Sequence, residues 1–188
     1  MLAYVFWHWK RAAVSEQNYE ARQRAFHEAL GAAPPDGFIR SFSAACQGAE
    51  WAAGGEPAYE DWYLVQDYAA LGHLNEAAIS GSRAGPHAGA ASASAGGTAG
   101  IYALRWGEPL SRPGFAHWFS KPEGLSYAEL FDRLEPAAGQ ARSALWMRQM
   151  TLGPAREFCL HTEGAFLLPQ SLASLTLALR PVWPLRPF

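Results

Sequence analysis

Four reactive side chains occupy every second position of one short segment late in the chain: Glu157, Cys159, His161 and Glu163. Successive side chains of a β-strand point to opposite faces, so this spacing predicts that all four share one face of a strand. A histidine beside a buried carboxylate can act as a general base, because burial and a neighbouring charge tune its pKa around neutrality. The segment therefore indicates acid–base or ligand-binding chemistry on a single strand face.

A matching polar face occurs in the first half of the chain, where Asp61, Tyr63 and Asp67 also follow at even spacing. The face of a sheet that packs on helices should be apolar, so we expect the polar faces to look into the interior of the folded sheet. By the same alternation, two further segments direct aromatic and imidazole side chains to that interior: Tyr4, Phe6, His8, Phe115, His117 and Phe119.

These faces define the candidate site. The predicted catalytic residues are histidines that could act as the base: His8, His117 and His161. The predicted ligand-binding residues are the remaining side chains expected in or beside the cavity: Phe6, Arg40, Asp61, Tyr63, Phe119, Arg148, Glu157 and Cys159. Each has a structural alternative, namely a hydrogen-bonded core histidine, an inert buried thiol, or an arginine that protects a sheet edge from further strand pairing.

No metal site is predicted. His161, Glu163 and Cys159 could supply ligands from one strand, but zinc and iron sites usually draw ligands from several elements in a fixed geometry. Nothing in the sequence completes such a set. The sequence also lacks a P-loop, a dinucleotide-binding fingerprint and a G-x-S-x-G nucleophile motif, which argues against the corresponding enzyme classes.

The elements that must position these residues occur twice. An aromatic strand at residues 7–10 leads to Ser15, and a similar strand at residues 118–121 leads to Ser126. Both serines are predicted to cap the start of a helix, because a serine oxygen can accept a hydrogen bond from a first-turn amide. Ser126 also forms a capping box with Glu129, three residues later.

Two more strands match between the halves, and a second helix and a last strand are expected to follow in each. The matching strands lie at residues 38–42 and 146–150, and at residues 61–64 and 157–160. The second helices are expected at residues 71–80 and along the leucines at 168, 172, 175 and 179, and a last strand at residues 101–106. The last strand of the second half is degenerate, because Pro181, Pro184 and Pro187 permit only a frayed edge.

Each half thus has the order β-α-β-β-α-β, and the predicted fold class is α+β with two tandem ferredoxin-like modules. The first module spans residues 1–110 and the second residues 111–188. Residues 81–100 consist almost entirely of Gly, Ala and Ser, so they are expected to form a mobile surface loop within the first module.

Tandem modules with aromatic strands resemble the dimeric α+β-barrel superfamily, which includes EthD-like, NIPSNAP-like and antibiotic-biosynthesis-type monooxygenases, haem-degrading monooxygenases and chlorite-dismutase-like haem proteins. The resemblance implies that the two modules pack sheet to sheet as an intramolecular dimeric α+β barrel. It also implies that the cavity beneath each sheet holds a substrate or haem. The haem-degrading members use an Asn, a Trp and a His in one pocket, but no residue here aligns with those roles.

Composition excludes several functions. Hydrophobic residues make up 49% of the chain and charged residues 17%, so most of it must be buried. The net charge of -2, with no run of like charges, gives no electrostatic indication of nucleic-acid binding.

The apolar run at the start of the chain is too short to span a bilayer, so no membrane partner is expected. Two distant cysteines favour a reduced, cytoplasmic protein, and the excess of Ala, Gly and Arg is typical of a GC-rich bacterial genome.

The sequence leaves the function open among three classes. The 8 Trp, 7 Tyr and 10 Phe exceed what a core of this size needs, which favours a cavity for a small apolar or aromatic molecule. Such a protein could perform a cofactor-independent monooxygenase- or isomerase-like reaction with a histidine as base. The alternatives are a haem-binding protein with an inward histidine as axial ligand and a non-enzymatic module that forms homo-oligomers. No cofactor is predicted for the first class.

Overall fold

The computed structural model describes residues 1–52, 57–138 and 142–186. In the first half of the chain, the described residues form four strands, three α-helices and one short 3-10 helix. In chain order they are β1 (Leu2–Lys10), α1 (Glu16–Ala32), β2 (Phe38–Cys46), β3 (Ala58–Val65), α2 (Tyr68–Ala78), the 3-10 helix (Gly81–Arg83), α3 (Ala84–Ala93) and β4 (Ser94–Gly107).

The second half contains five strands and, within the described residues, a single helix. In chain order they are β5 (Phe115–Phe119), α4 (Tyr127–Ala138), β6 (Ser143–Arg148), β7 (Phe158–Thr162), β8 (Leu175–Ala178) and β9 (Arg180–Trp183). No helix in the described part of the chain is both long and apolar enough to cross a membrane.

All nine strands form one antiparallel, nearly closed and barrel-like sheet in the order β8-β5-β7-β6-β4-β1-β3-β2-β9. The first half has the order β4-β1-β3-β2 and the second half the order β8-β5-β7-β6. Counting strands from the start of each half, both orders place the fourth strand beside the first, followed by the third and the second. The pairing of β4 with β6 joins the two halves into a continuous α+β fold.

The predicted helix starts are confirmed. The Ser15 hydroxyl accepts a hydrogen bond from the Asn18 amide at 3.3 Å. Ser126 and Glu129 form the capping box, in which the Ser126 amide donates to the Glu129 carboxylate at 2.8 Å and the Glu129 amide donates to the Ser126 hydroxyl at 3.2 Å. These caps begin α1 shortly after β1 and α4 shortly after β5, and each helix folds back over its own half of the sheet.

The interior of the curved sheet is filled by indole rings from both halves. Trp7, Trp62, Trp118 and Trp146 are all fully buried. The Trp7 and Trp118 ring centroids lie 5.5 Å apart, and those of Trp62 and Trp146 lie 5.4 Å apart. Trp7 and Trp62 belong to the first half, and Trp118 and Trp146 belong to the second. Because each pair joins the two halves, the halves share one hydrophobic core.

The prediction of a mobile loop at residues 81–100 is wrong. This segment forms the 3-10 helix, α3 and the start of β4. Alanine has the highest intrinsic helix propensity, which supports α3. Glycine is needed in β4, since a Cβ at Gly96 would approach the Trp9 ring to 2.7 Å and one at Gly97 would collide with Phe6. The small residues therefore permit close packing rather than mobility.

The prediction of a second helix in the second half is also wrong. Leu175, Leu177 and Leu179 alternate with smaller or polar residues, and Leu175–Ala178 forms β8, which pairs with β5. Leu177 and Leu179 are buried in the shared core. The second half therefore does not have the order β-α-β-β-α-β. The expected frayed edge is confirmed, because the proline-bearing β9 has four residues and lies at the sheet edge beside β2.

Candidate functional site

The structure reverses the predicted strand faces in β1, β3 and β5. The opposite face is covered by helices in the first half, and by α4 and the loops that follow it in the second half. The residues that were expected in the interior and lie on this opposite face are Tyr4, Phe6, His8, Asp61, Tyr63, Phe115, His117 and Phe119. Both sheet faces are buried, so the alternation of apolar residues does not reveal which face is the interior one. The bulky Trp7 and Trp118 fill the interior instead.

On β7 the predicted face is correct for Cys159 and His161, which both lie in the interior. The three candidate histidines therefore do not share a cavity. His161 lies inside the sheet, His8 lies beneath α1, and His117 lies on the outer face of the second half, where its ring contacts Thr162, Thr176 and Phe166.

A cavity of about 940 Å³ lies between the outer face of the first-half sheet and the helices α1, α2 and α3. Its walls are mostly aromatic and aliphatic side chains, and the partly exposed Tyr68 and Ile79 mark its rim. Three predicted ligand-binding residues line it: Phe6, Asp61 and Tyr63. Other lining residues include Tyr4, Gln23, Phe26, Leu71, Gly72, Leu74, Asn75, Ala78, His87, Ala90 and Ser94.

The Asp61 carboxylate is the polar centre of this cavity. Its Oδ2 atom lies 3.2 Å from His8 Nε2 and 3.3 Å from His27 Nε2, and it accepts a hydrogen bond of 2.9 Å from the Tyr63 hydroxyl. All three contacts converge on one oxygen. The other oxygen, Oδ1, is buried and has no hydrogen-bond partner among the described residues. Asp61 thus lines the cavity and has one acceptor atom without a donor among the described residues.

The pKa of Asp61 reflects competing effects. Burial alone would raise the pKa of this carboxyl, but the charges and hydrogen bonds of His8 and His27 hold it well below its usual range. The pKa of Tyr63 is raised well above its usual value by burial and by the adjacent Asp61 charge. At neutral pH the cluster therefore contains an anionic Asp61 and a neutral Tyr63 that donates to it.

A chain of hydrogen bonds behind Asp61 runs from Ser94 through Tyr19 to His8. The Ser94 hydroxyl donates to the Ala90 carbonyl at 3.1 Å, so its oxygen accepts from the Tyr19 hydroxyl at 2.9 Å. The Tyr19 oxygen then accepts from His8 Nδ1 at 2.5 Å. Nε2 of the same ring lies 3.2 Å from Asp61 Oδ2, so His8 links the Asp61 carboxylate to Tyr19 and Ser94.

A second buried carboxylate, Glu60, lies in the sheet interior next to His161. The Trp62 indole donates to Glu60 Oε1 at 3.0 Å and the Trp7 indole to Oε2 at 3.4 Å. Burial raises the pKa of Glu60 to about 7 despite these two donors. Burial also lowers the pKa of His161 to about 3, so at neutral pH this histidine is uncharged, and its 3.9 Å contact with Glu60 is not a full ion pair.

The remaining predicted residues have structural contacts. Arg40 donates to the Pro109 carbonyl, and Arg148 donates to the Gly153 carbonyl at 3.1 Å. Glu157 accepts a hydrogen bond of 2.6 Å from the Tyr127 hydroxyl. Burial raises the pKa of the Cys159 thiol well above its usual value, as expected for an unreactive cysteine. In the described residues, no group of three or more His, Cys, Asp and Glu side chains is placed to hold a metal ion.

The helix α1 also contributes to the site, which the sequence did not predict. His27 contacts Asp61 from this helix, and its Nδ1 lies 2.7 Å from the Ser41 hydroxyl. Gln23 and His27 are buried polar residues one turn apart, on the side of α1 that also buries Tyr19 and Leu30. Polar residues on an otherwise apolar helix face were the available signal, because such residues need partners within the protein.

No family model and no curated protein sequence matches this chain. A solved structure that does match is that of a protein provisionally named a chlorite dismutase. The two structures have a TM-score of 0.53 and 13% sequence identity, over 97% of this chain and 96% of that chain. At this identity the likeness shows a shared α+β fold and says nothing about chemistry.

Proposed function

We propose that the protein binds a small, largely aromatic or apolar molecule in the first-half cavity. The observation that carries this proposal is a wide cavity with apolar walls and a single unpartnered, buried carboxylate oxygen, Asp61 Oδ1. Ligand sites typically combine apolar walls with a few polar groups that set orientation. A buried acceptor left without a partner is energetically unfavourable, so a ligand that donates to it gains affinity.

Haem fits this cavity poorly. His87 lines the cavity and could serve as an axial ligand, and the fold likeness to a protein named a chlorite dismutase is compatible with the haem alternative. However, the described lining contains no Lys or Arg to bind the two propionates, and the anionic Asp61 would repel them. Adding haemin should therefore give no shifted Soret band, and a stoichiometric band would favour haem over the smaller ligand.

A cofactor-independent, isomerase-like reaction is a second candidate function. Asp61 and Ser94 both line the cavity, and His8 and Tyr19 connect them through the 3.2 Å contact between His8 and Asp61 and two hydrogen bonds. Such a chain could accept a proton at one point of a ligand and return one at another, and isomerisation needs only this. His8 and His27 face Asp61 and are not among the cavity-lining residues, so His8 would act through the chain rather than as the direct base.

The reaction can be tested with benzoylacetone, an enolisable aromatic ketone, in deuterated water. If the chain transfers protons, the protein should accelerate exchange of the acidic C–H, and Tyr19→Phe should slow this exchange while leaving probe binding intact. Exchange at the rate of buffer alone would leave binding as the function.

Binding itself can be tested by blocking the cavity. Gly72 lies on the cavity-facing side of α2, and a Cβ there would meet nothing within 4 Å. Gly72→Phe should weaken binding of the neutral fluorescent probe N-phenylnaphthylamine by about tenfold, equivalent to about 1.4 kcal/mol. Gly31→Phe is the matched control, because Gly31 is also helical and open but lies outside the cavity. Equal affinities of the two variants would contradict the proposal.

We also propose that the two halves derive from tandem ferredoxin-like modules of the dimeric α+β-barrel superfamily. The shared strand order, β4-β1-β3-β2 and β8-β5-β7-β6, supports this relationship. The second half has lost its second helix among the described residues, which leaves the ligand cavity in the first half.

A further inference from the structure

We propose that the ligand carries a protonated amine on its aromatic or apolar body and that this amine binds Asp61 Oδ1. This inference rests on the proposed binding function and specifies the ligand class. It follows from which oxygen of Asp61 is free, from the charges that line the cavity and from the rings around the carboxylate.

Asp61 lines the cavity, and the protein itself saturates only one of its two carboxylate oxygens. His8, His27 and Tyr63 all contact Oδ2, from β1, α1 and β3. Asp61 is 1% exposed, and Oδ1 has no protein donor among the described residues. An acceptor-only group in this position selects a ligand that donates hydrogen bonds.

The charge distribution favours a cationic donor over a neutral one. The described cavity lining contains no Lys or Arg, and apart from tyrosines its ionisable residues are Asp61 and His87. The imidazole rings of His8 and His27 lie behind the carboxylate, so a bound amine would be nearer to the negative charge than to either ring. Hydrogen bonds between two charged groups are about twice as strong as those between neutral groups. A carboxylate ligand would instead face Asp61 without a compensating cation.

Aromatic rings next to Asp61 complete this site. Tyr4, Phe6 and Tyr63 line the cavity, with ring centroids 6.5 Å apart for Tyr4 and Phe6 and 6.0 Å apart for Tyr4 and Tyr63. The faces of such rings attract cations within about 6 Å, and the attraction grows when water is excluded. The same rings offer an apolar surface to the body of the ligand.

The test uses three naphthalene probes that differ in their polar group: naphthylmethylamine, naphthylmethanol and naphthoate. Calorimetric titration of the full chain at neutral pH should give the tightest binding for the amine, by about tenfold or more over the alcohol, with naphthoate the weakest. Asp61→Asn should reduce the affinity for the amine to that for the alcohol. Asp132→Asn, an exposed substitution on α4, is the matched control and should change neither.

The possible results separate this inference from the proposed function. Equal affinities for amine and alcohol, or tightest binding of naphthoate, would overturn the amine assignment and leave the binding function in place. No binding of any probe would refute both. If Asp61→Asn fails to fold, as judged by circular dichroism, the order of the three probes on the unmodified chain decides the question alone.

Discussion

Glu60 should make the protein less stable as the pH rises from about 4.5 to about 7. Its carboxyl has an ordinary pKa of 4.5 and a folded-state pKa of about 7, because burial among indole rings disfavours the anion. Below pH 4.5 the group is protonated in both states and nothing is lost. Above that, the unfolded chain releases the proton first, so folding becomes less favourable. Each pH unit between the two values is worth about 1.36 kcal/mol, which gives a loss of about 3 kcal/mol above pH 7.

Glu60→Gln removes this titration while keeping one acceptor for the Trp62 indole, which donates to Oε1 at 3.0 Å. We would measure the free energy of unfolding by urea denaturation at about pH 5, 6, 7 and 8, because these values cover most of the range over which Glu60 titrates. The stability of Glu60→Gln relative to the unmodified protein should improve by up to about 3 kcal/mol across this range. Glu123→Gln, an exposed control, should show no such trend.

His161 titrates with the opposite sign. Its pKa is lowered to about 3, so its contribution to stability is present above pH 6.5 and is lost as the pH falls. Both proteins retain His161, so the difference between them isolates Glu60. Parallel stability curves for the unmodified protein and Glu60→Gln would refute the assignment of a near-neutral pKa to the buried carboxyl.

Two further predictions concern the fold. Trp118→Ala should lower the free energy of unfolding by about 3–5 kcal/mol, because it empties the centre of the shared core. Leu167→Ala, at a position that is 93% exposed, should change it by less than about 0.5 kcal/mol. Denaturant titration of both variants measures the difference. Gly107 and Gly124 both have a positive φ, but a Cβ at Gly107 would also collide with the Ser143 carbonyl. Gly124→Ala should therefore lower the stability of the protein by about 1 kcal/mol, and Gly107→Ala should lower it several times more. Thermal melts measure both, and equal shifts of the two melting temperatures would contradict the role of the collision.

The sequence predicted local structure well where the signal is local. The caps at Ser15 and Ser126 and the first three strands of each half depend on neighbouring residues, and the structure confirms them. The leucines near the end of the chain fitted both a helical and a strand period, and the strand period was the correct one. Pairing with β5 determined that choice, and this contact is not visible in the local pattern.

The candidate site was predicted in part. Phe6, Asp61 and Tyr63 do share a cavity, but the cavity lies on the opposite side of the sheet from the one expected. A polar strand face predicts a position away from the helices only when no helix supplies polar partners for it. In the structure the helix α1 supplies His27 as a buried partner for Asp61, and a partnered charge can lie beneath a helix.

The strand β4 determines how the two halves of the chain can open. It is the longest strand, and it pairs with β1 along one edge and with β6 along the other. Separating the halves would break this ladder and expose the indoles that both halves contribute to the interior. Amide hydrogens in the middle of β4 should therefore exchange with solvent only when the whole molecule unfolds, so the repeat in the sequence corresponds to a single cooperative unit.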